Sequence, residues 1–347
     1  MIAGMTDPSL RRAAGSLFGL AYGDALGKPT EFLTVAEIVR RYGPAGPREL
    51  TGDPALVTDD TQMALAVGWA LHEAQRLTPE TVEPLLRRRF VAWSVSPDND
   101  RAPGVTCLRA CAELARGTRW QHAAVIGSKG CGANMRVTPV GLLDVDLDTL
   151  AGLAQLQAGL THGHPTGLAA SELTAYAVRL LRDGAEPAEV PALLAERARE
   201  QRETYREEWL GDLWQVARAA SPETFIAAGW DECLAILDRL RAALAGPDDG
   251  GDPCRHTGEG WIAEEALATA LYCAIRHADD PVAALARGAT TTGDSDSIAA
   301  LAGAFVGAAL GTPAWPADWA TRIEYADQLF TLSTLPTRHP LTGPPLG

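Results

Sequence analysis

Four aspartates form two closely spaced pairs that lie far apart in the sequence. Asp59 and Asp60 open one apolar stretch, and Asp294 and Asp296 open another. A helix cap needs only one side-chain oxygen, and helix N-termini favour negative charge in general, so either pair alone is explained by capping. Asp59 with Gln62 has the spacing of a capping box. Four carboxylates at one place, however, need a compensating cation, so the two pairs together favour a metal site.

Hydroxyl groups beside the two pairs complete an all-oxygen set of metal ligands. Thr58 precedes the first pair, and Ser297 follows the second. Hard oxygen donors without a nearby Cys or a second clear His ligand favour Mg²⁺ or Mn²⁺ over zinc. If the two helix ends meet, they could hold two divalent cations bridged by one aspartate. Composition alone does not bring the two ends together.

The elements that carry these residues have the pattern of α-helices. Apolar content is 46%, Ala and Leu dominate it, and β-branched or aromatic runs of period two are scarce. We therefore predict an all-α protein with one compact domain, 1–335, and a Pro-rich tail, 336–347. Residues 13–27 combine helical spacing with several small residues, which suits tight packing inside a bundle. The charged stretch 192–218 is expected to be a solvated helical surface.

Composition excludes several classes of function. The net charge is −14 and no Lys/Arg cluster with interleaved aromatics occurs, so we expect no general binding to nucleic-acid backbone. Six widely spaced cysteines without a CxxC pair predict buried, reduced thiols. No apolar run approaches the ~20 residues of a membrane helix, and Met1–Arg12 lacks a signal-peptide core. We expect a cytoplasmic monomer with no membrane partner.

A glycine-rich loop and two histidines are the remaining candidates for ligand binding. The loop 127–132 offers backbone N–H groups that an anion could approach closely, beside Lys129 and Arg136. A plain turn explains it equally well. His162 and His164 precede a predicted helix, and either could be a structural histidine. Trp261 opens another helix and could face a cleft or the core.

Five motifs in order resemble the signatures of the ADP-ribosylglycohydrolase family. They span roughly residues 10 to 312 and are GDALG at 23–27 with Glu31, TDDT at 58–61, SKGCGANMR at 128–136, THGHP at 161–165 and GDSDS at 293–297. The resemblance implies an orthogonal all-α bundle with a dinuclear metal cleft at its centre. It also implies that the two acidic helix starts meet there.

The resemblance also implies roles for the site residues. One ion would be held by Thr58, Asp59, Asp60 and Asp296, and the other by Asp294, Asp296 and Ser297, with Asp296 bridging. The family usually has Thr where this chain has Ser297, so metal affinity is expected to weaken while the site persists. Glu31 would lie over the metals, and Glu31, Asp59 and Asp60 are the predicted catalytic carboxylates. The predicted ADP-ribose-binding residues are Ser128, Lys129, Gly130, Cys131, Gly132, Met135, Arg136, His162 and His164.

The implied reaction is metal-dependent hydrolysis at C1″ of the distal ribose, which releases ADP-ribose from a modified protein, a nucleobase or a small conjugate. Arginine-directed members of the family carry an acidic residue in the loop that corresponds to 101–106. This chain has Ala102-Pro103-Gly104-Val105 there, so Asp98 or Asp100 would have to substitute. Two other functions stay open: a non-catalytic ADP-ribose-binding protein, and a two-metal phosphoester hydrolase.

Overall fold

Twenty α-helices and no β-sheet make up the regular structure of residues 6–339, the part of the chain that the computed structural model describes. The prediction of an all-α bundle is confirmed. The α-helices, in chain order, are α1 Pro8–Gly27, α2 Val35–Tyr42, α3 Asp59–Glu73, α4 Pro79–Ser94, α5 Val105–Ala115, α6 Trp120–Ala123, α7 Thr138–Gly141, α8 Leu147–Gly159, α9 Pro165–Arg182, α10 Val190–Gln201, α11 Glu207–Leu210, α12 Leu213–Val216, α13 Pro222–Ala245, α14 Cys254–Thr257, α15 Ala263–Arg276, α16 Pro281–Gly288, α17 Ser295–Leu310, α18 Trp319–Arg322, α19 Ala326–Leu332 and α20 Leu335–Arg338.

Helices α1 and α17 pack backbone against backbone at the centre of the bundle. A Cβ atom added at Gly19 would lie 2.3 Å from the carbonyl oxygen of Gly303, and one added at Gly23 would lie 2.0 Å from that of Ala299. Only glycine permits such a close approach. At Gly27 the added atom would lie 2.4 Å from Cα of Asp296. The C-terminal end of α1 is therefore held against the first turn of α17.

Helix α1 also fixes the start of α3. The carboxylate of Asp24, which is fully buried, accepts hydrogen bonds from the backbone N–H groups of Thr58 (2.9 Å) and Thr61 (3.0 Å). The Thr61 hydroxyl donates to it as well, at 2.5 Å. These N–H groups belong to the first turn of a helix, where no intrahelical acceptor exists for them. One helix thus positions both acidic helix starts.

The charged stretch 192–218 is not the solvated helix that we expected. Helix α10 ends at Gln201, and only the short helices α11 and α12 follow before α13. Arg197 and Arg206 are both buried, because their guanidinium groups pair with the fully buried Glu172 at 2.9 and 3.4 Å. A buried carboxylate needs such partners, which sequence spacing does not reveal.

Three smaller expectations have different outcomes. All six cysteines are buried and unpaired, as predicted. Of the predicted tail, Pro336 to Arg338 lie in α20, and 340–347 lie outside the described residues. Within residues 6–339, no helix combines the length and the apolar character that crossing a membrane requires.

Candidate active site

The two acidic helix starts meet in a cleft of about 430 Å³. Asp59 and Asp60 reach it from α3, and Asp294 and Asp296 reach it from the start of α17; each of the four is at least 93% buried. Glu31 lines the same cleft from the loop after α1. Helix α1 packs closely on α17, and its Asp24 accepts hydrogen bonds from the start of α3. These two contacts explain why residues so distant in sequence converge.

Capping does not account for these carboxylates. The cap of α3 is the Thr58 side chain, which accepts a hydrogen bond from the Asp60 N–H at 3.3 Å. Asp294 occupies the cap position of α17, but its side chain makes no capping hydrogen bond. The predicted capping box of Asp59 and Gln62 is wrong, because the Gln62 amide instead donates to the Asp98 carbonyl oxygen. The carboxylates are therefore available for another role.

Two carboxylate oxygens in the cluster are buried without a hydrogen-bond partner, Oδ2 of Asp60 and Oδ1 of Asp296. Such orphaned acceptors are costly in a folded protein. In contrast, Oδ2 of Asp59 accepts a hydrogen bond from the Gly104 N–H at 3.2 Å. The unpartnered oxygens mark the places where the cluster lacks a donor or a cation.

The electrostatics of the cluster also favour a cation. Burial, followed by the negative charges of neighbouring carboxylates, raises the pKa of Asp60 and of Asp294 well above the ordinary value. The same causes raise the pKa of Glu31 to about 9, and burial chiefly raises that of Asp59 to about 7. Carboxylates with raised pKa values repel one another when ionised, and a bound cation removes that repulsion.

The donor set fits a hard divalent cation. The cluster offers carboxylate oxygens together with the hydroxyl of Ser297 at the cleft and that of Thr58, which is buried beside Asp60. Mg²⁺ and Mn²⁺ prefer such oxygens. Among residues 6–339, no three His, Cys, Asp or Glu side chains already surround a common point as ligands. The two bound metal ions predicted from the sequence therefore stay a proposal.

Asp24 is a site residue that the sequence analysis missed. Burial, followed by the charge of Asp296, raises its pKa to about 7, while its hydrogen bonds from Thr58 and Thr61 act in the opposite direction. It does not line the cleft, but it fixes the backbone that carries Asp59 and Asp60. The available signal was an aspartate inside the small, apolar segment LAYGDALG.

The glycine-rich loop contributes part of the cleft wall. Gly130, Cys131, Gly132 and Met135 line the cleft, but Lys129 does not. The N–H of Cys131 donates to the Trp261 carbonyl oxygen at 3.0 Å, so the backbone donors of the loop are partly used within the protein. The absence of side chains at the glycines lets the loop lie against a histidine, since a Cβ at Gly132 would lie 3.2 Å from the His162 ring.

Lys129 and Ser128, which we expected to contact the substrate, do not line the cleft. The Lys129 ammonium group lies between the carboxylates of Glu232 (2.6 Å) and Glu264 (2.5 Å), which neutralise it. Ser128, also outside the cleft lining, shares a 3.0 Å hydrogen bond with the hydroxyl of Thr106. The expected contacts of Ser128 and Lys129 with a diphosphate therefore have no support in this arrangement.

Arg136 is fully buried and is linked to His162 through the hydroxyl of Thr161. Its guanidinium group donates to the Gln157 side chain at 2.8 Å and to the Thr161 hydroxyl at 2.8 Å, and it lies over the Phe90 ring. The Thr161 hydroxyl is in turn 2.8 Å from Nδ1 of His162. Arg136 lies outside the cleft lining and is linked by this hydrogen-bonded chain to a cleft residue, while its expected contact with substrate stays a prediction.

The two histidines have different roles. His162 is buried and lines the cleft, and burial, followed by the charge of Arg136, lowers its pKa to about 3, so the ring is neutral. His164 is the N-cap of α9, where its Nδ1 accepts a hydrogen bond from the Thr166 N–H at 3.2 Å. His162 thus lies at the cleft, whereas His164 caps α9 outside the cleft lining, and ligand binding by either histidine stays a prediction.

Comparisons with known proteins identify the family to which this chain is similar. A profile of the ADP-ribosylglycohydrolase family matches residues 5–341. ADP-ribosyl-[dinitrogen reductase] glycohydrolase of Rhodospirillum rubrum is 36% identical over 48% of this chain and 56% of its own length, so the match spans about half of that relative. ADP-ribosylhydrolase ARH3 of Bos taurus is 27% identical over 90% of this chain and 88% of its own length.

A solved structure described as an ADP-ribosylglycohydrolase-related protein complex shares the fold. It superposes with a TM-score of 0.67 at 23% identity and covers 94% of this chain and 97% of its own. The helical bundle, the convergence of the acidic helix starts and the match along almost the whole sequence lead to one conclusion. This chain belongs to the ADP-ribosylglycohydrolase family of hydrolases.

Proposed function

We propose that this protein hydrolyses, with the help of two divalent cations, the bond between C1″ of ADP-ribose and an acceptor. The observation that carries the proposal is the convergence of Asp60 and Asp296 with carboxylate oxygens that are buried and unpartnered. Family membership supplies the ADP-ribosyl substrate. The cleft, at about 430 Å³, lies within the usual size range of small-molecule sites.

The carboxylates suit cleavage at an anomeric carbon. Positive charge develops on the ribose ring as the bond to the acceptor breaks, and nearby carboxylates stabilise that charge. Glu31, partly exposed at the cleft, is placed to accept a proton from the attacking water, and Asp59 or Asp60 would assist it. His162, held neutral, can hydrogen-bond a polar group of the ligand through its free ring nitrogen.

The cations would be held by the residue sets expected from the family. One set is Thr58, Asp59, Asp60 and Asp296, and the other is Asp294, Asp296 and Ser297. When bound, Mg²⁺ or Mn²⁺ would supply the positive charge that orients the ribose hydroxyls and polarises water. The protein's own contribution is to hold these oxygens in a buried cleft, with Asp24 fixing the start of α3.

The test is release of ADP-ribose from a panel of conjugates in Mg²⁺, in Mn²⁺ and in EDTA. The panel comprises arginine-, serine- and guanosine-linked ADP-ribose and ADP-ribose-1″-phosphate. Asp60→Asn and Asp296→Asn are expected to lose metal-dependent turnover while staying folded. Asp100→Asn is the matched control, since this side chain is 75% exposed and lies outside the cleft lining.

Each other outcome points to a different function. Release of AMP or phosphate instead of ADP-ribose would favour a phosphoester hydrolase. Binding of ADP-ribose without turnover on any conjugate would favour a non-catalytic binding protein. Turnover that survives both Asp60→Asn and Asp296→Asn, or that EDTA leaves unchanged, would refute the proposed mechanism.

A further inference from the structure

Exposed apolar side chains are concentrated at the mouth of the cleft. Seven large hydrophobic side chains are exposed among the described residues, and three of them line this one cleft: Phe32 (68%), Val105 (80%) and Trp261 (38%). A concentration of exposed apolar surface at a binding site indicates what the site contacts. The floor of the cleft is acidic, whereas its rim is apolar.

Two of these side chains form a parallel aromatic pair across the mouth. The rings of Phe32 and Trp261 are stacked with centroids 5.8 Å apart and planes 13° apart. Phe32 belongs to the loop after α1, and Trp261 lies two residues before the start of α15, so the pair links two segments that are far apart in the sequence. Phe32 has a φ of 64°, a left-handed conformation that is unfavourable for a bulky residue. The fold accepts that strain at the entrance of its site.

The loop 102–105 adds no charged side chain to the cleft lining. Ala102, Pro103 and Val105 line the cleft, and the hydrogen bond from the Gly104 N–H to Asp59 holds this loop beside the acidic cluster. Neither aspartate that could have supplied a carboxylate here reaches the cleft. Asp98 accepts a hydrogen bond from the Tyr325 hydroxyl outside it. The exposed Asp100 lies beside Arg101. The loop 102–105 therefore offers a cationic acceptor no carboxylate.

The position of Phe32 directly after Glu31 relates the aromatic pair to one part of the substrate. Phe32 follows Glu31, which lies at the acidic cluster where C1″ would be cleaved. The acceptor is bonded directly to C1″, whereas the adenine of ADP-ribose is separated from C1″ by two riboses and a diphosphate. Within the proposed function we therefore assign the ring that contacts Phe32 to the acceptor, and binding of free ADP-ribose tests this assignment against adenine.

On the basis of the proposed function, we infer that the acceptor is a nucleobase, and that Phe32 and Trp261 recognise it by stacking. Because Phe32 and Trp261 are already stacked on each other, the base would lie against the outer face of the Phe32 ring, which is 68% exposed. In the reaction, the bond from C1″ to a base nitrogen breaks, and the water oxygen bonds to C1″. One water proton passes to the base nitrogen, which leaves ADP-ribose and the unmodified base.

Base-linked ADP-ribose could come from a free nucleoside or from a single-stranded nucleic acid. Both present the same flat ring to the pair. Because the chain carries a net charge of −14, contacts to a polynucleotide backbone would add little affinity. The experiment therefore includes ADP-ribosyl-guanosine and an oligonucleotide that carries ADP-ribosyl-guanine as separate arms, beside arginine-linked ADP-ribose.

Steady-state kinetics on these substrates test the inference with Phe32→Ala and Trp261→Ala. Each change is expected to raise KM for both base-linked substrates about tenfold, since stacking on one aromatic side chain has about that effect. Trp261→Phe should restore most of the affinity. Val95→Ala is the matched control, because Val95 is 78% exposed and lies outside this cleft.

The remaining outcomes separate this inference from the proposed function. Faster release from arginine-linked than from base-linked ADP-ribose overturns the inference alone. An equal loss of affinity for free ADP-ribose in Phe32→Ala also overturns it, because the pair would then hold adenine. Failure to release ADP-ribose from any substrate overturns the proposed function, and the inference with it.

Discussion

Replacement of Gly303 by alanine should disturb the active site from a distance. The new Cβ would lie 2.0 Å from the Gly19 carbonyl oxygen, whereas ordinary contact begins at 3.4 Å, so α1 and α17 must separate by about 1.4 Å. A backbone oxygen cannot rotate away as a side chain can. Overpacking of this kind costs about 1–3 kcal/mol, and the higher helix propensity of alanine offsets about 1 kcal/mol of it.

The effect on metal binding should exceed the effect on stability. Metal–ligand distances tolerate deviations of roughly 0.2 Å, several times less than the separation required of the two helices. We therefore expect Gly303→Ala to remain folded, with a free energy of unfolding lower by up to about 2 kcal/mol. Its affinity for Mn²⁺ should fall at least tenfold. Urea unfolding and titration calorimetry measure the two quantities.

Gly68→Ala is the matched control for this experiment. Gly68 lies in α3, the helix that carries Asp59 and Asp60, and its added Cβ would lie 2.7 Å from a terminal carbon of Leu332. A terminal side-chain atom can move aside, so the control should keep Mn²⁺ affinity. If Gly303→Ala binds Mn²⁺ as tightly as the unmodified protein, close approach of α1 and α17 is not what aligns the site.

Three further predictions concern the residues behind the cleft. Asp24→Asn should lose Mn²⁺ affinity in titration calorimetry while its circular dichroism spectrum stays helical, because an amide cannot accept all the hydrogen bonds that Thr58 and Thr61 donate to Asp24. Unchanged affinity would contradict the positioning role of Asp24. Thr161→Val should change the tautomer of His162, measured from the ¹⁵N chemical shifts of its imidazole ring, whereas Thr161→Ser should keep it. Identical spectra of Thr161→Val and the unmodified protein would contradict the hydrogen-bonded chain. The pKa of His162 is lowered to about 3 in the folded protein, whereas it is about 6.5 in the unfolded chain. As the pH falls from about 6.5 towards 3, the unfolded chain therefore binds a proton that the folded protein does not, and stability is lost. His162→Gln should remove up to about 1.4 kcal/mol per pH unit from that slope between pH 6 and 4, and an unaltered slope would show that His162 is not buried neutral.

The sequence predicted the acidic centre of the site because its signal is local. Asp59, Asp60, Asp294 and Asp296 stand at the starts of apolar segments, and helix starts are recognisable from residue type and spacing. The meeting of the two starts followed only from the family resemblance. The glycines of α1 predicted tight packing but not the partner helix, since the contact with α17 is tertiary.

The residues behind the cleft could not be assigned from the sequence. Arg136 and Lys129 stand beside a glycine-rich loop, which suggests an anion site, but burial and carboxylate partners from distant helices decide their roles. Asp24 contributes through a contact with a segment far along the chain. Phe32 carried no periodic or motif signal beyond its position after Glu31. In each case the deciding fact is a long-range contact.

The contact of α1 with α17 also determines when the site can form during synthesis. Helix α1 leaves the ribosome before α17, and residues 28–294 must be synthesised before α17 can cover its glycine face. Contacts of such large sequence separation form late, because a long loop must close before they contribute stability. Fragments of this chain that end before residue 294 therefore lack both Asp294 and Asp296, and a nascent chain acquires the complete cluster only after the start of α17 has been synthesised.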